Sequence, residues 1–410
     1  MNAPKLRFKD HRAKWNEIIL NDFFYFIDGD RGKNYPNEND FLPEGYCLFL
    51  NAHNISDTGL TFKNTNWLTK EKHASLRKGT AEYRDLILTT RGSKLGKLAV
   101  YDETIPYNVV RINSAMLLIR QKQAIDLEYT LYLFKDAILP KFINQHIVGS
   151  AQPHLTVKDL KAYSTYIPED VIEQQKIGYF FSLLNSKIQK QQEKIEKLEE
   201  LKKGMMQKIF SQEIRFKDED GEEFPKWNAK RLSDTGQVVT GNTPSKSIDV
   251  YWSNPTIPWI TPTDINDSKE ILDSASKLSD IGYKKARQLP ANTLLVTCIA
   301  SIGKNAILKV DGSCNQQING IIPNENHYVD FLYYLIEHFN YRIKNVAGRT
   351  ATALVNKTTF ENLSFLIPAY KEQNVIAKFL SKLDIKIEKE KEKLLVFEKQ
   401  KKGFMQRMFV

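Results

Sequence analysis

The sequence predicts a mixed α/β (α+β) protein in which one unit, a globular region followed by a long helix, occurs twice. Short β-like runs alternate with turn clusters, apolar residues recur at helical spacing over long stretches, and both patterns appear a second time. We place the globular regions at 1–170 and 213–370, and the helices at 171–212 and 371–410. Residues 1–170 are called the first region below, and residues 213–370 the second region.

The long helices carry the clearest signs of duplication. At one constant offset, 202–210 (KKGMMQKIF) aligns without a gap with 401–409 (KKGFMQRMF). Apolar residues in each copy step by three and four, which is typical of a coiled-coil seam. The seam positions of the first copy are Ile177, Phe181, Leu184, Ile188, Ile195, Leu198, Met205 and Ile209. We expect the helices to pair antiparallel, because the short connection 211–225 could not retrace a rod of roughly 60 Å.

The globular regions are related more loosely. Arg7-Phe8-Lys9-Asp10 recurs as Arg215-Phe216-Lys217-Asp218, and both regions end in Ile-Pro ahead of their helix. Helices are predicted at 127–146 and 329–345. The β-like runs lie at 46–50, 86–90, 114–119, 259–261 and 293–297.

The composition suits a globular protein with a polyanionic partner. Lys and Arg number 59 against 49 Asp and Glu, which gives a net charge of +10, and 41% of the residues are hydrophobic. A basic balance alone is modest support, since many basic proteins bind no nucleic acid. No apolar run is long enough for a membrane span, and none follows the basic N-terminus as in a secretory signal, so we expect a cytoplasmic protein.

Two loops in each region combine glycines with polar and cationic side chains at strand ends. They are 28–36 and 89–97 in the first region, and 240–246 and 297–305 in the second. Glycine lets the backbone approach a bulky partner, and these side chains donate hydrogen bonds to phosphates and base edges. Ordinary polar turns are an equally good interpretation. The candidate DNA contacts are Arg31, Lys33, Asn34, Tyr35, Arg91, Lys94, Lys97, Gln152, His154, Thr243, Ser245, Lys246, Thr263, Ser301, Lys304, Asn305 and Arg349.

Motifs of the competing enzyme classes are missing from the sequence. Gly303-Lys304 is followed by Asn305 and does not complete a phosphate loop, and 254–257 (NPTI) lacks the second proline of a DNA adenine methyltransferase motif. The histidines have no zinc spacing, and no carboxylate cluster suggests magnesium. The cysteines are scattered and predict buried or idle thiols: Cys47, Cys298 and Cys314. We therefore predict a non-catalytic protein that recognises and binds its partner, and that has no metal site.

Together these features resemble the specificity subunit of type I restriction-modification enzymes. The features that carry the resemblance are two variable globular regions, two similar helices, the shared helix ending and the sequence motif 257–265 (IPWITPTDI). The resemblance implies that each region is a target-recognition domain for one half of a split double-stranded DNA site, and that the helices fix the gap. It also implies two methyltransferase subunits that use S-adenosylmethionine, and ATP- and Mg²⁺-dependent restriction subunits. This chain itself would hold no cofactor.

The helix endings are candidates for methyltransferase docking, because they carry more apolar area than one seam needs. These residues are Met205, Met206, Phe210, Phe404, Met405 and Phe409. An equally weighted alternative is that they close the cores of the globular regions. For the whole chain, the alternative function is a coiled-coil assembly protein whose basic surface binds a protein partner.

Overall fold

A computed structural model describes residues 3–56, 59–146, 154–266, 268–348 and 354–410. The chain forms two compact units, Met1–Glu193 with Lys391–Val410, and Lys194–Glu390. Each unit therefore holds one globular region and a segment of both long helices. Among the described residues, no helix combines the length and apolarity needed to cross a membrane.

The first region is built mainly of short strands. They are β1 (Trp15–Ile19), β2 (Phe24–Asp28), β3 (Cys47–Leu50), β4 (Ile55–Ser56), β5 (Gly59–Leu60), β6 (Asn66–Leu68), β7 (Leu86–Thr89), β8 (Leu98–Val100), β9 (Val110–Ile112), β10 (Met116–Gln121) and β11 (Ser164–Pro168). The helices are α1 (Leu20–Phe23), α2 (Lys70–Ser75), α3 (Leu127–Tyr132), α4 (Leu139–His146) and α5 (Val157–Ala162), followed by the long α6 (Val171–Phe210). A π-helical segment, Leu133–Ile138, joins α3 to α4, so the predicted helix 127–146 is continuous but not uniformly α-helical.

The second region repeats this order. Its strands are β12 (Asn228–Arg231), β13 (Gly236–Thr240), β14 (Ile257–Ile260), β15 (Glu270–Ile271), β16 (Lys277–Leu278), β17 (Thr293–Thr297), β18 (Asn305–Leu308), β19 (Ser313–Cys314), β20 (Ile318–Pro323) and β21 (Ser364–Ile367). The helices are α7 (Leu232–Thr235), α8 (Asp280–Tyr283), α9 (Val329–His338), α10 (Asn340–Ala347) and α11 (Lys357–Glu361), followed by the long α12 (Tyr370–Met408). The helix predicted at 329–345 is thus two helices.

The duplication extends to sheet topology. The main sheet has the order β2-β10-β7-β8 in the first region and β13-β20-β17-β18-β15 in the second. A smaller sheet, β6-β3-β9, corresponds to β16-β14-β19, and both combine an antiparallel with a parallel pairing. Mixed α and β structure repeated twice is the fold class that the sequence predicts.

Each main sheet separates two cores, because successive side chains of a strand point to opposite faces. On β7, Leu86 and Leu88 pack in the core that contains Phe24 and Phe134, whereas Ile87 packs in the core that contains Leu48. The alternation recurs on β17, where Leu294 and Val296 lie in one core and Leu295 in the other. Burial on both faces explains why these strands read as continuous apolar runs.

Within each unit the long helices run antiparallel, as the sequence predicts. In the first unit, the ring centroids of Phe180 and Phe404 lie 5.1 Å apart, and Lys187 Nζ lies 4.1 Å from the ring centroid of Phe397. In the second unit, Lys194 Nζ lies 3.0 Å from Glu390 Oε1, and Lys202 Nζ lies 2.8 Å from Asp384 Oδ1. The residue number rises along one helix as it falls along the other.

Near the start of each long helix, the predicted seam residues do more than pair the two helices. Ile177 and Phe181 lie in the core of the first region together with Tyr129, and Ile376 and Leu380 lie in the core of the second. The apolar positions near the start of each helix therefore pack against the preceding region as well as against the other helix.

A buried ion pair connects each copy of the Arg-Phe-Lys-Asp motif to the long helix that follows it, at Glu173-Gln174 in the first copy and Glu372-Gln373 in the second. Arg7 donates to both carboxylate oxygens of the fully buried Glu173, at 2.5 and 2.6 Å. Arg215 donates to the equally buried Glu372 at 3.2 and 2.8 Å. The hydrogen bond to Glu173 holds the pKa of the Arg7 guanidinium above its usual value. Each pair fixes the start of a region to the start of its helix.

Candidate nucleic-acid interface

The two candidate loops of the first region meet at one edge of its main sheet. In the antiparallel register, Leu117 at the start of β10 pairs with Asp28 at the end of β2, and Met116 pairs with Thr89 at the end of β7. The loops that follow β2 and β7 therefore leave the sheet side by side. Thr90 N donates to the Ala115 carbonyl at 2.9 Å, and Arg31 Nη2 lies 3.3 Å from the Ser114 carbonyl.

Asp30 organises the first of these loops. Its carboxylate accepts from the backbone N–H groups of Gly32 at 2.7 Å, Arg77 at 2.6 Å and Lys78 at 3.3 Å. Burial by itself would raise the pKa of Asp30, but these three donors and the nearby Arg111 hold that pKa below its usual value. The ionised carboxylate thus brings the exposed side chains of Arg77 and Lys78 to the same edge.

The close approach of this loop to the sheet requires glycine at position 29. A Cβ atom built there would lie 2.0 Å from the Asn113 carbonyl oxygen, far inside van der Waals contact. The sequence pattern of glycine beside cations is therefore explained locally by packing between loop and strand.

The second loop, after β7, is held by Thr89. Its hydroxyl donates to the carbonyl of Lys94 and accepts from Lys97 N at 3.0 Å. Arg91 forms an isolated β-bridge with His154, and its Nη2 lies 3.4 Å from His154 Nε2. Arg91 and His154 are exposed, whereas Lys94 and Lys97 are half-buried.

The second region builds the same edge with different side chains. Thr297 Oγ1 donates to the Ser301 carbonyl at 2.5 Å, as Thr89 does to Lys94. After β13, Thr243 Oγ1 donates to Gln316 Oε1 at 2.6 Å. This second contact joins the loop after β13 to the turn before β20.

Asn242 organises the loop after β13 in the second region, as Asp30 organises the loop after β2 in the first. Its side-chain oxygen accepts from Arg287 N at 2.5 Å, and its side-chain nitrogen donates to the Lys285 carbonyl at 3.0 Å. The exposed side chains of Lys284, Lys285 and Arg287 are thereby placed beside the loop. An amide replaces a carboxylate, but the outcome is again cations beside the sheet edge.

Most of the predicted contact residues are accessible at these edges. Those exposed are Arg31, Lys33, Asn34, Arg91, His154, Thr243, Ser245, Lys246, Thr263 and Lys304. Tyr35 is half-buried, packs on Phe49 and accepts from Ser114 N at 3.3 Å. Ser301 is also half-buried. Gln152 and Arg349 lie outside the described residues.

The structure corrects the prediction for Asn305. Its side chain is 8% exposed, and its amide nitrogen donates to the Tyr333 carbonyl at 2.9 Å. Asn305 is the first residue of β18 and faces α9, so it joins a strand to a helix and is not available to DNA.

Sequence reasoning missed the cations that Asp30 and Asn242 bring in. They are Arg77, Lys78, Lys284, Lys285 and Arg287. The run 284–287 (KKAR) and the Arg-Lys-Gly step at 77–79 were visible signals, since basic clusters are typical of phosphate-binding surfaces. Their distance along the chain from the candidate loops concealed the link.

The structure corrects a second prediction, namely that the helix endings form a docking surface. Met206, Phe210, Met405 and Phe409 are 5 to 8% exposed and belong to the cores of the two regions. The ring of Phe210 stacks on His338 with centroids 4.9 Å apart, and that of Phe409 stacks on Tyr129 at 5.8 Å. These four residues close cores and are not a docking surface. Met205 and Phe404 are half-buried, and Phe404 packs on Phe180.

The described residues at the two edges do not form a metal centre. Among the described residues, His, Cys, Asp and Glu form no group that could hold a metal ion. Burial raises the pKa of the Cys298 thiol to about 11 and that of Cys314 to about 12, so both stay protonated near neutral pH. The edges offer hydrogen-bond donors and positive charge.

Comparison with known proteins identifies the family. A family model described as type I restriction modification DNA specificity domain matches residues 13–200 and 225–397. The MjaIX specificity subunit of Methanocaldococcus jannaschii is 33% identical over 197 residues, which cover 46% of this chain and 45% of that protein. The EcoR124I/EcoR124II specificity subunit of Escherichia coli is 29% identical over 38% of this chain and 40% of its own length. The chain thus spans less than half the length of these relatives.

Other similarities extend over nearly the whole chain. The MjaVIII specificity subunit of M. jannaschii is 24% identical over 95% of this chain and 91% of its own length. The fold is similar to that of the S subunit of a type I restriction-modification system from M. genitalium, with a TM-score of 0.59, 14% identity, and 100% and 99% of the two chains covered. A second structure, which concerns complex assembly of a type I R-M system, gives 0.62 at 14% identity over 97% and 98%. Because the family model matches most of both halves, the chain belongs to the family of type I restriction modification DNA specificity domains.

Proposed function

We propose that this chain is the sequence-specific DNA-recognition subunit of a type I restriction-modification complex, in which each region reads one half of a split double-stranded site. The observation that carries the proposal is the duplicated sheet edge. In both regions, loops after equivalent strands present exposed Arg, Lys, Asn, Ser or Thr side chains, and a polar side chain, the buried Asp30 or the half-buried Asn242, recruits further cations.

The chemistry of the edges suits DNA. Cationic side chains neutralise phosphates and fix the register of a protein on the duplex, while base edges in the grooves are read by hydrogen bonds and apolar contacts. A single edge with a few readable positions suits a short half-site, and two edges on one chain suit a bipartite target. The target-recognition domains are proposed at 1–170 and 213–370, each followed in the chain by a long helix, α6 (Val171–Phe210) or α12 (Tyr370–Met408).

The same proposal assigns catalysis to other subunits. The specificity chain would bind two methyltransferase subunits, which use S-adenosylmethionine, and through them restriction subunits that use ATP and Mg²⁺. The relatives named as specificity subunits of type I restriction enzymes support this assignment. A cytoplasmic location follows from the proposed target, because the DNA and the partner enzymes are found there.

Target selection tests the proposal against a protein that only assembles other proteins. The chain is purified together with its methyltransferase and offered a library of randomised duplexes. We expect one split motif to be enriched, with affinity that falls steeply as salt rises because counterions are released from phosphates. A complex that forms normally and yet enriches no motif would contradict DNA recognition and favour the assembly alternative.

A further inference from the structure

The two sheet edges carry chemically opposite side chains at one equivalent position. In the first region, Arg91 bridges to His154, and Leu155 N donates to the Thr90 carbonyl at 3.1 Å. In the second region, Ile299 bridges to Leu354, and Val355 N donates to the Cys298 carbonyl at 3.0 Å. The bridge and the adjacent backbone hydrogen bond are the same, so an Arg–His pair in one region stands where an apolar pair stands in the other.

Both pairs are accessible from the edge. Arg91 and His154 are exposed, Ile299 is half-buried, and Leu354 is 37% exposed. Since a guanidinium can only donate, His154 Nε2 accepts the 3.4 Å contact from Arg91 and helps to orient its planar fork. Arg91 retains other N–H groups for a ligand.

The backbone beside each pair has a left-handed residue. Gly92 has φ 74° and Ala300 has φ 62°. This conformation is disfavoured for alanine because of its Cβ atom, and such residues persist where the surroundings hold them in place, often at functional sites. The residue after Arg91 and the residue after Ile299 therefore share a left-handed backbone, while the side chains before them differ.

We infer that Arg91 reads a guanine in one half-site, and that Ile299 with Leu354 reads a thymine methyl group at the equivalent place of the other half-site. This rests on the proposed function. In the major groove, guanine presents two acceptors, N7 and O6, that match the arginine fork, whereas adenine presents one acceptor and one donor. The C5-methyl group of thymine is the one apolar group there, and an apolar pair would leave polar base edges without partners.

The expected discrimination differs between the two contacts. A bidentate arginine–guanine pair favours the right base by roughly ten- to hundredfold. Contact with one methyl group changes affinity by about fourfold. The first region should therefore be strict at its position, and the second should be more tolerant.

Modified bases test each contact in the assembled complex of this chain and its methyltransferase. Once the split motif is known, each guanine in turn is replaced by 7-deazaguanine, which lacks the N7 acceptor, and each thymine by uracil, which lacks the methyl group. The same duplexes are offered to wild type, Arg91→Lys and Ile299→Ala. Lysine keeps the charge of Arg91 without its planar fork, so a phosphate contact would survive this change in full, while the paired contact to guanine N7 and O6 would be weakened.

We expect one guanine whose replacement weakens wild-type binding roughly tenfold and weakens Arg91→Lys binding clearly less. In the other half-site, one thymine should be sensitive to uracil in wild type and insensitive in Ile299→Ala. Arg12→Lys is the matched control, since Arg12 is an exposed arginine of the first region that precedes β1 and lies outside the candidate loops, and it should keep the wild-type sensitivity. Normal reading of the unaltered half-site shows that each variant is folded.

Two results would overturn the inference while leaving DNA recognition intact. One is a split motif in which no guanine is sensitive to 7-deazaguanine in wild type, and the other is a sensitivity of Arg91→Lys and Ile299→Ala that equals that of wild type. The series of modified duplexes tests the inference with the wild-type complex even if a variant fails to assemble. A wild-type complex without any split motif would instead remove the proposed function, and the inference with it.

Discussion

Replacing Arg77 and Lys78 together by alanine should weaken the salt dependence of DNA binding without changing the sequence that is bound. Both side chains are exposed at the edge of the first region, while their backbone N–H groups are held by Asp30. Alanine keeps those backbone hydrogen bonds, so the loop should retain its shape. A cation that contacts only phosphate contributes alike to every sequence.

The magnitude follows from counterion release. Each neutralised phosphate contributes about 0.9 to the slope of log affinity against log salt concentration, so the double substitution should make the slope shallower by about 1.8. Between roughly 50 and 200 mM salt, the variant should therefore lose about tenfold less affinity than wild type. Fluorescence anisotropy of a labelled duplex over this range, with the chain bound to its methyltransferase, measures both slopes.

Arg12→Ala with Lys14→Ala is the matched control. These residues are likewise an exposed arginine and lysine of the first region, but they precede β1 and belong to neither of the two loops at the sheet edge. We expect the control slope to equal that of wild type. The reasoning is refuted if Arg77→Ala/Lys78→Ala leaves the slope unchanged, or if it alters the preferred bases.

Three further predictions concern stability. Met206→Ala should lower the free energy of unfolding by about 2–5 kcal/mol, because Met206 is 5% exposed in a core, whereas Met205→Ala should cost much less; a fully stable Met206→Ala chain that lost its methyltransferase would restore the docking interpretation. Arg215→Met should destabilise the second unit by about 3 kcal/mol, because it strands the buried Glu372 carboxylate, and adding Glu372→Gln should recover part of the loss in denaturant titrations; equal losses would argue against an ion pair. Burial, with help from Lys230, lowers the pKa of His327 to about 4, so the unfolded chain takes up the proton first and stability should fall as pH drops from about 6.5 towards 4; His327→Gln should flatten that part of the melting-temperature profile, and an unchanged profile would count against it.

The architecture could be predicted from the sequence because the chain is internally duplicated, so that its two halves can be aligned with each other. The constant offset between the helices indicated their pairing, the short connection 211–225 indicated their direction, and the matching loops indicated both sheet edges. The repeated Arg-Phe-Lys-Asp motif was visible, but its partner was not. Arg7 and Glu173 are 166 positions apart, and no periodicity links residues so distant.

The failures have a common physical cause. Met206 and Phe210 were interpreted from a helix considered as one seam, yet the helix ends pack against sheet cores whose position only the tertiary fold determines. Asn305 looked like part of a polar loop, but it begins a buried strand, and its amide is used by the Tyr333 carbonyl. Arg77 and Lys78 reach the edge only because Asp30 accepts from their backbone N–H groups.

The most direct test of the account is to map methylated adenines across the genome in cells with and without this chain. We predict one split motif, methylated in its presence, that loses methylation completely when the chain is deleted and regains it on complementation. Arg91→Lys should relax one half of that motif and leave the other half unchanged. An identical adenine methylation pattern in both strains, with the methyltransferase still expressed, would contradict the claim that this chain selects the DNA target.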